Sequence, residues 1–189
     1  MSPSSPPPDF VSRGGDKLAA ALDHFGFDVT GLVCADLGSH VGGFVDCLLR
    51  RGASRVYSID TSYGTLAWRL RKDSRVVVLE RTNAMHVELP EPMDLVTMDV
   101  GWTTQAKILP NAARLIKGDG AVITLIKPHY EASKVLLVDG VLAESAFDEV
   151  IVSVKIVIES LGWSIKNTMP SPIQGHGGNR EVLAHLARQ

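Results

Sequence analysis

The sequence predicts an α/β fold: a mostly parallel, seven-stranded sheet with its last strand antiparallel and helices on both faces. Three observations carry that prediction. Short apolar runs of strand length alternate with amphipathic stretches of helical spacing, which is the pattern of strand–helix–strand units. The stretch CADLGSHVGGFVDCLL, residues 34–49, passes from an apolar run through a glycine-containing loop into a helical pattern. Near the chain end, two apolar runs are joined by a Pro- and Gly-rich loop with no helix between them, so the final strand must reverse direction.

Residues 1–11 begin as a Pro/Ser-rich tail with too little apolar surface to fold, and residues 12–189 form one domain. Over 12–25 Leu18, Ala21, Leu22 and Phe25 share a helix face, and Gly26 stands at the stop. The run Ser12-Arg13-Gly14-Gly15 before it reads as a loop. A first strand at 34–37 leads into a helix opening at Phe44, and 55–60 is the second strand. A helix at 65–72, a third strand at 75–80 and a fourth at 93–99 follow. The next helix, 104–117, contains Pro110, which should kink or split it. Residues 121–127 make the fifth strand, stopped by Pro128, and Asp139-Gly140 within 134–143 is a hairpin signal. A long helix at 147–161 ends at Gly162, and 163–168 and 181–186 are the final strands.

A chain of 189 residues with 45% apolar content can bury one full core, and nothing in it asks for a second. Its apolar runs are too short to span a bilayer and its start lacks an apolar signal region, so we expect a cytoplasmic protein with no membrane partner. Direct pore formation is disfavoured for the same reason. The net charge of −2 argues against coating nucleic acid through bulk positive charge. A basic run does occur between Arg50 and Arg81, and solvated helix ends account for it slightly better than a binding patch. Cys34 and Cys47 read as core residues, and the six scattered histidines indicate no metal site.

In open α/β sheets the ligand sits at the carboxyl edge of the parallel strands. Asp36, Asp60, Asp99 and Lys127 fall at strand ends there, and Glu181 begins the reversed strand at the same edge. Gly38, Gly42 and Gly43 let the loop after the first strand approach a ligand closely. Their spacing is G-x-x-x-G-G rather than the G-x-G-x-x-G of dinucleotide sites. Asp60, ending the second strand, suits ribose hydroxyls, so NAD or S-adenosylmethionine would serve, and Thr82 and Asn83 could continue the adenosine site. Asp99 and Lys127, with Lys17 and Glu181, could position and deprotonate a hydroxyl. Ordinary surface salt bridges are the alternative for these four.

At these positions the chain resembles the hemolysin-A-like (TlyA-type) branch of the FtsJ-like ribosomal RNA 2′-O-methyltransferases. The matching blocks run from Ser12-Arg13-Gly14-Gly15 with Lys17-Leu18, through Asp36-Leu37-Gly38 with Gly42-Gly43-Phe44, to Asp60 and the run RVVVLERTN at 75–83. They continue with Asp99-Val100, Leu125-Ile126-Lys127-Pro128, Ser171-Pro172-Ile173 and Gly178-Asn179 with Glu181. The resemblance implies a Rossmann-like class I methyltransferase fold that takes S-adenosylmethionine. By this analogy Asp36, Gly38, Ser39, Gly42, Gly43, Phe44, Asp60, Thr82, Asn83 and Asp99 hold the cofactor. Lys17, Asp99, Lys127 and Glu181 form the family's Lys-Asp-Lys-Glu tetrad, and the substrate is structured RNA, either ribosomal RNA or ribosomal subunits.

The chain departs from the family pattern in four places. Family members usually carry an S4-type RNA-binding domain ahead of this region, where this sequence shows only the short tail. RNA recognition is then expected from the catalytic domain, from a separate RNA-binding partner, or not at all. Gly101-Trp102 replaces a usual Ser-Phe, Ser39-His40-Val41 replaces smaller residues, and His129-Tyr130-Glu131 replaces Gln-Phe-Glu. A catalytically silent module of the same fold is the competing reading, and a nicotinamide oxidoreductase is disfavoured by the glycine spacing.

Overall fold

The structure, a computed structural model, describes residues 10–189; the expected tail falls, over residues 1–9, outside the described residues. Helix α1 (Gly14–Phe25) buries Leu18, Ala21 and Leu22, and ends where Gly26 takes a left-handed φ of 60°. Strand β1 (Val33–Leu37) is followed by α2 (Gly43–Arg50), and β2 (Arg55–Ile59) by a single helical turn, α3 (Trp68–Arg71). After β3 (Val76–Leu79) come β4 (Met93–Met98) and α4 (Gln105–Leu115), which leads directly into the long β5 (Ile116–Ile126). A short turn α5 (Pro128–Glu131) and the hairpin of β6 (Leu137–Val138) with β7 (Val141–Leu142) precede α6 (Phe147–Ser160). Strands β8 (Trp163–Pro170) and β9 (Val182–Arg188) close the chain.

Seven strands form one sheet in the order β3-β2-β1-β4-β5-β9-β8. The pairs β1–β2, β1–β4, β2–β3 and β4–β5 are parallel, and β9 runs antiparallel to both β5 and β8. The reversed strand is therefore inserted beside β5, and its predecessor β8 takes the edge. Strand order turns back between β1 and β4, leaving a crevice where connections leave in opposite directions. Burial of β1, β2 and β4 on both sides explains their continuous apolar character. On one side Leu18, Val45, Leu48 and Leu70 of α1 to α3 pack against the sheet; on the other, Ile108, Leu109, Val154 and Ile158 of α4 and α6 do so.

Several expectations shift. Phe10 and Val11, read as part of the tail, pack partly buried on the α1–α2 layer, and Asp46 accepts the Val11 amide at 2.9 Å. The helix expected over 65–72 shrinks to α3, because Leu66 and Leu70 are its only buried side chains. Pro110 neither splits nor ends α4, which continues to Leu115. Ile116 and Lys117 belong to β5 instead of that helix. The Asp139-Gly140 hairpin forms as expected, although each strand is only two residues long. Cys34 and Cys47 are buried free thiols, and burial pushes each up to about 12, far from reactivity at neutral pH.

Candidate active site

A cleft of about 750 Å³ opens at the carboxyl edge over the β1–β4 crevice. Its floor follows from close backbone approach. Asp99, just past β4, donates its amide to the Leu37 carbonyl at 3.1 Å, and a Cβ on Gly38 would lie 2.8 Å from the Asp99 carbonyl oxygen. Only glycine fits there. The other two loop glycines serve packing instead. A Cβ on Gly42 would come within 2.4 Å of Leu70, and one on Gly43 within 2.3 Å of the Ser12 hydroxyl and 2.7 Å of the Gly15 nitrogen. Gly43 and Phe44 still line the cleft, whereas Gly42 is absent from its wall. Ser39 also spends its polar groups inward, sharing a 2.7 Å hydrogen bond with Ser58 and donating its amide to Ile59.

Asp36, at the end of β1, is buried and lines the cleft. Thr97 donates to one carboxylate oxygen at 2.8 Å, and the other oxygen has no partner. Burial pushes this carboxyl up to about 8; the Thr97 bond opposes the shift, and the charges of Asp99 and Asp60 add to it. Thr97 was not picked out from the sequence, and its one signal was a polar residue inside an apolar strand. Asp60 differs. Burial raises it, but hydrogen bonds from Ser62 and the His40 amide outweigh burial and hold it below the usual carboxylate range. Its two oxygens accept the Ser62 amide at 2.7 Å and the His40 amide at 2.8 Å. Thr82 and Asn83 line the same end of the cleft, with the Thr82 amide bonded to the Asp60 carbonyl.

At the opposite end stand two lysine–carboxylate pairs. Lys17, on α1, meets Glu181, just before β9, at 2.5 Å, and both are buried. Lys127, at the end of β5, meets Asp99 at 2.6 Å and donates to the Val100 carbonyl at 3.1 Å. Lys17, Asp99 and Lys127 line the cleft, while Glu181 stands behind Lys17 and against Gly175, where a Cβ would be 2.2 Å from its carboxylate. The four residues thus arrive as two couples, from four elements distant in sequence. Beside them Trp102, exposed and at φ 60°, lies over Tyr130 with ring centroids 4.9 Å apart. The His129 ring also contacts Tyr130, tilted with centroids 4.1 Å apart, and burial, then the Lys127 charge, depress its pKa. Arg13, taken from the sequence as loop, also reaches the wall.

The family profile described as FtsJ-like methyltransferase matches residues 10–188. The chain belongs to that family. The FtsJ-like assignment agrees with individual relatives. A Mycobacterium tuberculosis protein named 16S/23S rRNA (cytidine-2'-O)-methyltransferase TlyA is 38% identical over 186 residues, spanning 95% of this chain and 69% of its own length. A Streptococcus thermophilus protein described as a "putative hemolysin" superposes with a TM-score of 0.94 at 34% identity, over 98% of this chain and 70% of its own. An S-adenosylmethionine-dependent methyltransferase from Mesorhizobium loti, 15% identical, shares the fold with a TM-score of 0.67 over 92% of this chain and 100% of its own. In this FtsJ-like chain the inserted antiparallel strand brings Glu181 against Lys17, behind the cleft wall.

Proposed function

We propose that this FtsJ-like chain transfers a methyl group from S-adenosylmethionine to a ribose 2′-hydroxyl of ribosomal RNA in the cytoplasm. Kinship to the rRNA (cytidine-2'-O)-methyltransferase supplies the substrate class. The observation that carries the reading is the Lys127–Asp99 pair beside the cleft, 2.6 Å apart, with the Lys17–Glu181 pair next along the same edge. The residues present fit this cofactor. Its polar groups suit Asp36, whose buried second oxygen has no protein partner, and its ribose hydroxyls suit Asp60. Gly43, Phe44, Thr82 and Asn83 would enclose the remainder. Ser39 contributes through loop geometry, since its hydroxyl is engaged by Ser58.

Bound S-adenosylmethionine supplies a methyl group already activated by positively charged sulfur. The protein has then to align a hydroxyl and remove its proton. To act as a base Lys127 must be the neutral amine, whose two hydrogens can go to Asp99 and the Val100 carbonyl, leaving the Nζ lone pair free. That lone pair takes the proton of the 2′-hydroxyl as the oxygen attacks the methyl carbon in line and the carbon–sulfur bond breaks. Asp99 orients that amine and shares the cleft floor with Gly38. Lys17, fixed by Glu181, steadies the substrate oxygen or its phosphate. Trp102 and Tyr130 offer an aromatic wall on which a base can stack.

The test is transfer of labelled methyl from S-adenosylmethionine to ribosomal subunits and to naked ribosomal RNA. Lys127→Ala should lower the rate by about 10²–10⁴-fold, the span of general-base catalysis, while retaining cofactor binding. The product should resist alkaline cleavage at one nucleotide. Methyl transfer undiminished in Lys127→Ala would refute the mechanism.

A further inference from the structure

The basic run between α2 and the end of β3 takes no part in this chemistry, yet it does not scatter as solvated helix ends would. Three large aromatic side chains are exposed among the described residues: Trp102 at the cleft mouth, Tyr63 at 69% and Trp68 at 70%. The last two stand away from the mouth, and each holds a cation over its ring. Arg81 Cζ lies 4.2 Å from the Tyr63 centroid and Lys72 Nζ 4.6 Å from that of Trp68. Around them Arg50, Arg69, Arg71 and Arg75 pair with acids less exposed than themselves, whereas Arg51, at the edge of the run, pairs with the more exposed Asp23. The Asp46 side chain is 6% exposed, against 42% for Arg50 and 54% for Arg69, which both pair with it. Arg71 and Arg75 are likewise more exposed than Glu80 and Asp73. Around Tyr63 and Trp68 these four ion pairs therefore place the acid deeper than the cation, beneath a surface that presents cations and aromatic faces.

This segregation matters in a chain of net charge −2. Exposed acids on α6, Asp148, Glu149 and Glu159, have no such company, since the exposed hydrophobic residues of that helix, Val152, Ile156 and Val157, are all aliphatic. Cationic side chains beside exposed aromatic rings are the equipment of single-strand recognition: phosphates meet the charges and bases stack on the rings. The surface also joins the cleft. The Ala67 amide, next to Trp68, bonds to the carbonyl of Val41 in the cleft wall, and Arg81 precedes the cleft residues Thr82 and Asn83.

We propose that Trp68, Tyr63, Arg69 and Lys72 form a second docking surface for single-stranded RNA, which holds nucleotides flanking the one presented to Lys127. The proposal rests on the RNA-methylation reading above, and it is tested without catalysis. The probe is a fluorescein-labelled single-stranded oligoribonucleotide of roughly 12 nucleotides, within the span that single-strand sites cover. Trp68→Ala should weaken binding roughly tenfold, as loss of one stacked base does, and Trp68→Phe should restore most of it. Lys72→Ala should reduce the slope of log affinity against log salt by about 0.7, one phosphate contact on a single strand. With ribosomal RNA as substrate, Trp68→Ala should raise KM at unchanged kcat, and S-adenosylmethionine affinity should stay at the wild-type value.

Unchanged oligoribonucleotide affinity in Trp68→Ala would overturn the proposal and leave the face to a protein partner. Loss of cofactor binding together with RNA binding would also overturn it, since the residue would then act by supporting the glycine loop. A wild-type protein that binds RNA with these dependences but transfers no methyl would sink the methylation reading and leave the docking surface standing.

Discussion

Asp36 shows how little of a residue's chemistry its position in a motif reveals. As an acidic residue near the end of β1 it reads as a ligand group, yet complete burial pushes it up to about 8 against the opposing hydrogen bond from Thr97. The unfolded chain releases that proton near 3.8 and the folded chain at about 8, so between these values the folded state holds more protons. Stability from this group is fully present below the lower value and declines as pH rises through the higher one. Asp36→Asn cannot ionise and keeps an acceptor for Thr97. Its melting temperature relative to wild type should rise between about pH 5 and about pH 8; parallel curves would exclude a protonated buried carboxyl. Trp102 and His40 illustrate another limit of residue-level reading. Both adopt positive φ at the cleft, which neither residue type signals, and local strain of this kind is held by the surrounding structure.

Elements explain the glycine loop better than ligand contact does. From the sequence, Gly38, Gly42 and Gly43 all invite a bound molecule. In the structure only Gly38 shapes the floor; Gly42 makes room for α3, and Gly43 lets the start of α1 lie on the start of α2. That last contact has a functional consequence, because α1 carries Lys17. Gly43→Ala places its methyl against backbone that cannot yield, and should cost about 1–3 kcal/mol, the range for overpacking, measured by urea unfolding. Cofactor binding and thermal stability unchanged by the substitution would contradict the packing account. The elements that shifted did so for want of local signal. α3 is a single turn with Leu70 as its one buried side chain, and β5 begins five residues before its apolar core, at Ile116, because it pairs there with Met93.

The described residues are organised on one seven-stranded sheet covered by two apolar layers, with the β6–β7 hairpin apart from it, and β9 is bonded to partners on both sides. No part of that arrangement can be removed without exposing the rest, so urea unfolding should be a single transition. Fluorescence, reporting chiefly buried Trp163, and far-ultraviolet dichroism should coincide; separated midpoints would mean that one layer dissolves first. The sequence by itself determined the alternation of strands and helices, the reversal of the last strand and the charged residues at the carboxyl edge. Apolar period, turn residues and strand polarity are all local quantities written in neighbouring residues. Only the tertiary structure decided that β9 inserts between β5 and β8, that the four charged residues meet as two couples, and that Arg50 and Arg69 show their cations while hiding Asp46. Each depends on contacts between residues far apart in the chain, where strand order, burial and charge pairing are settled by packing against the whole.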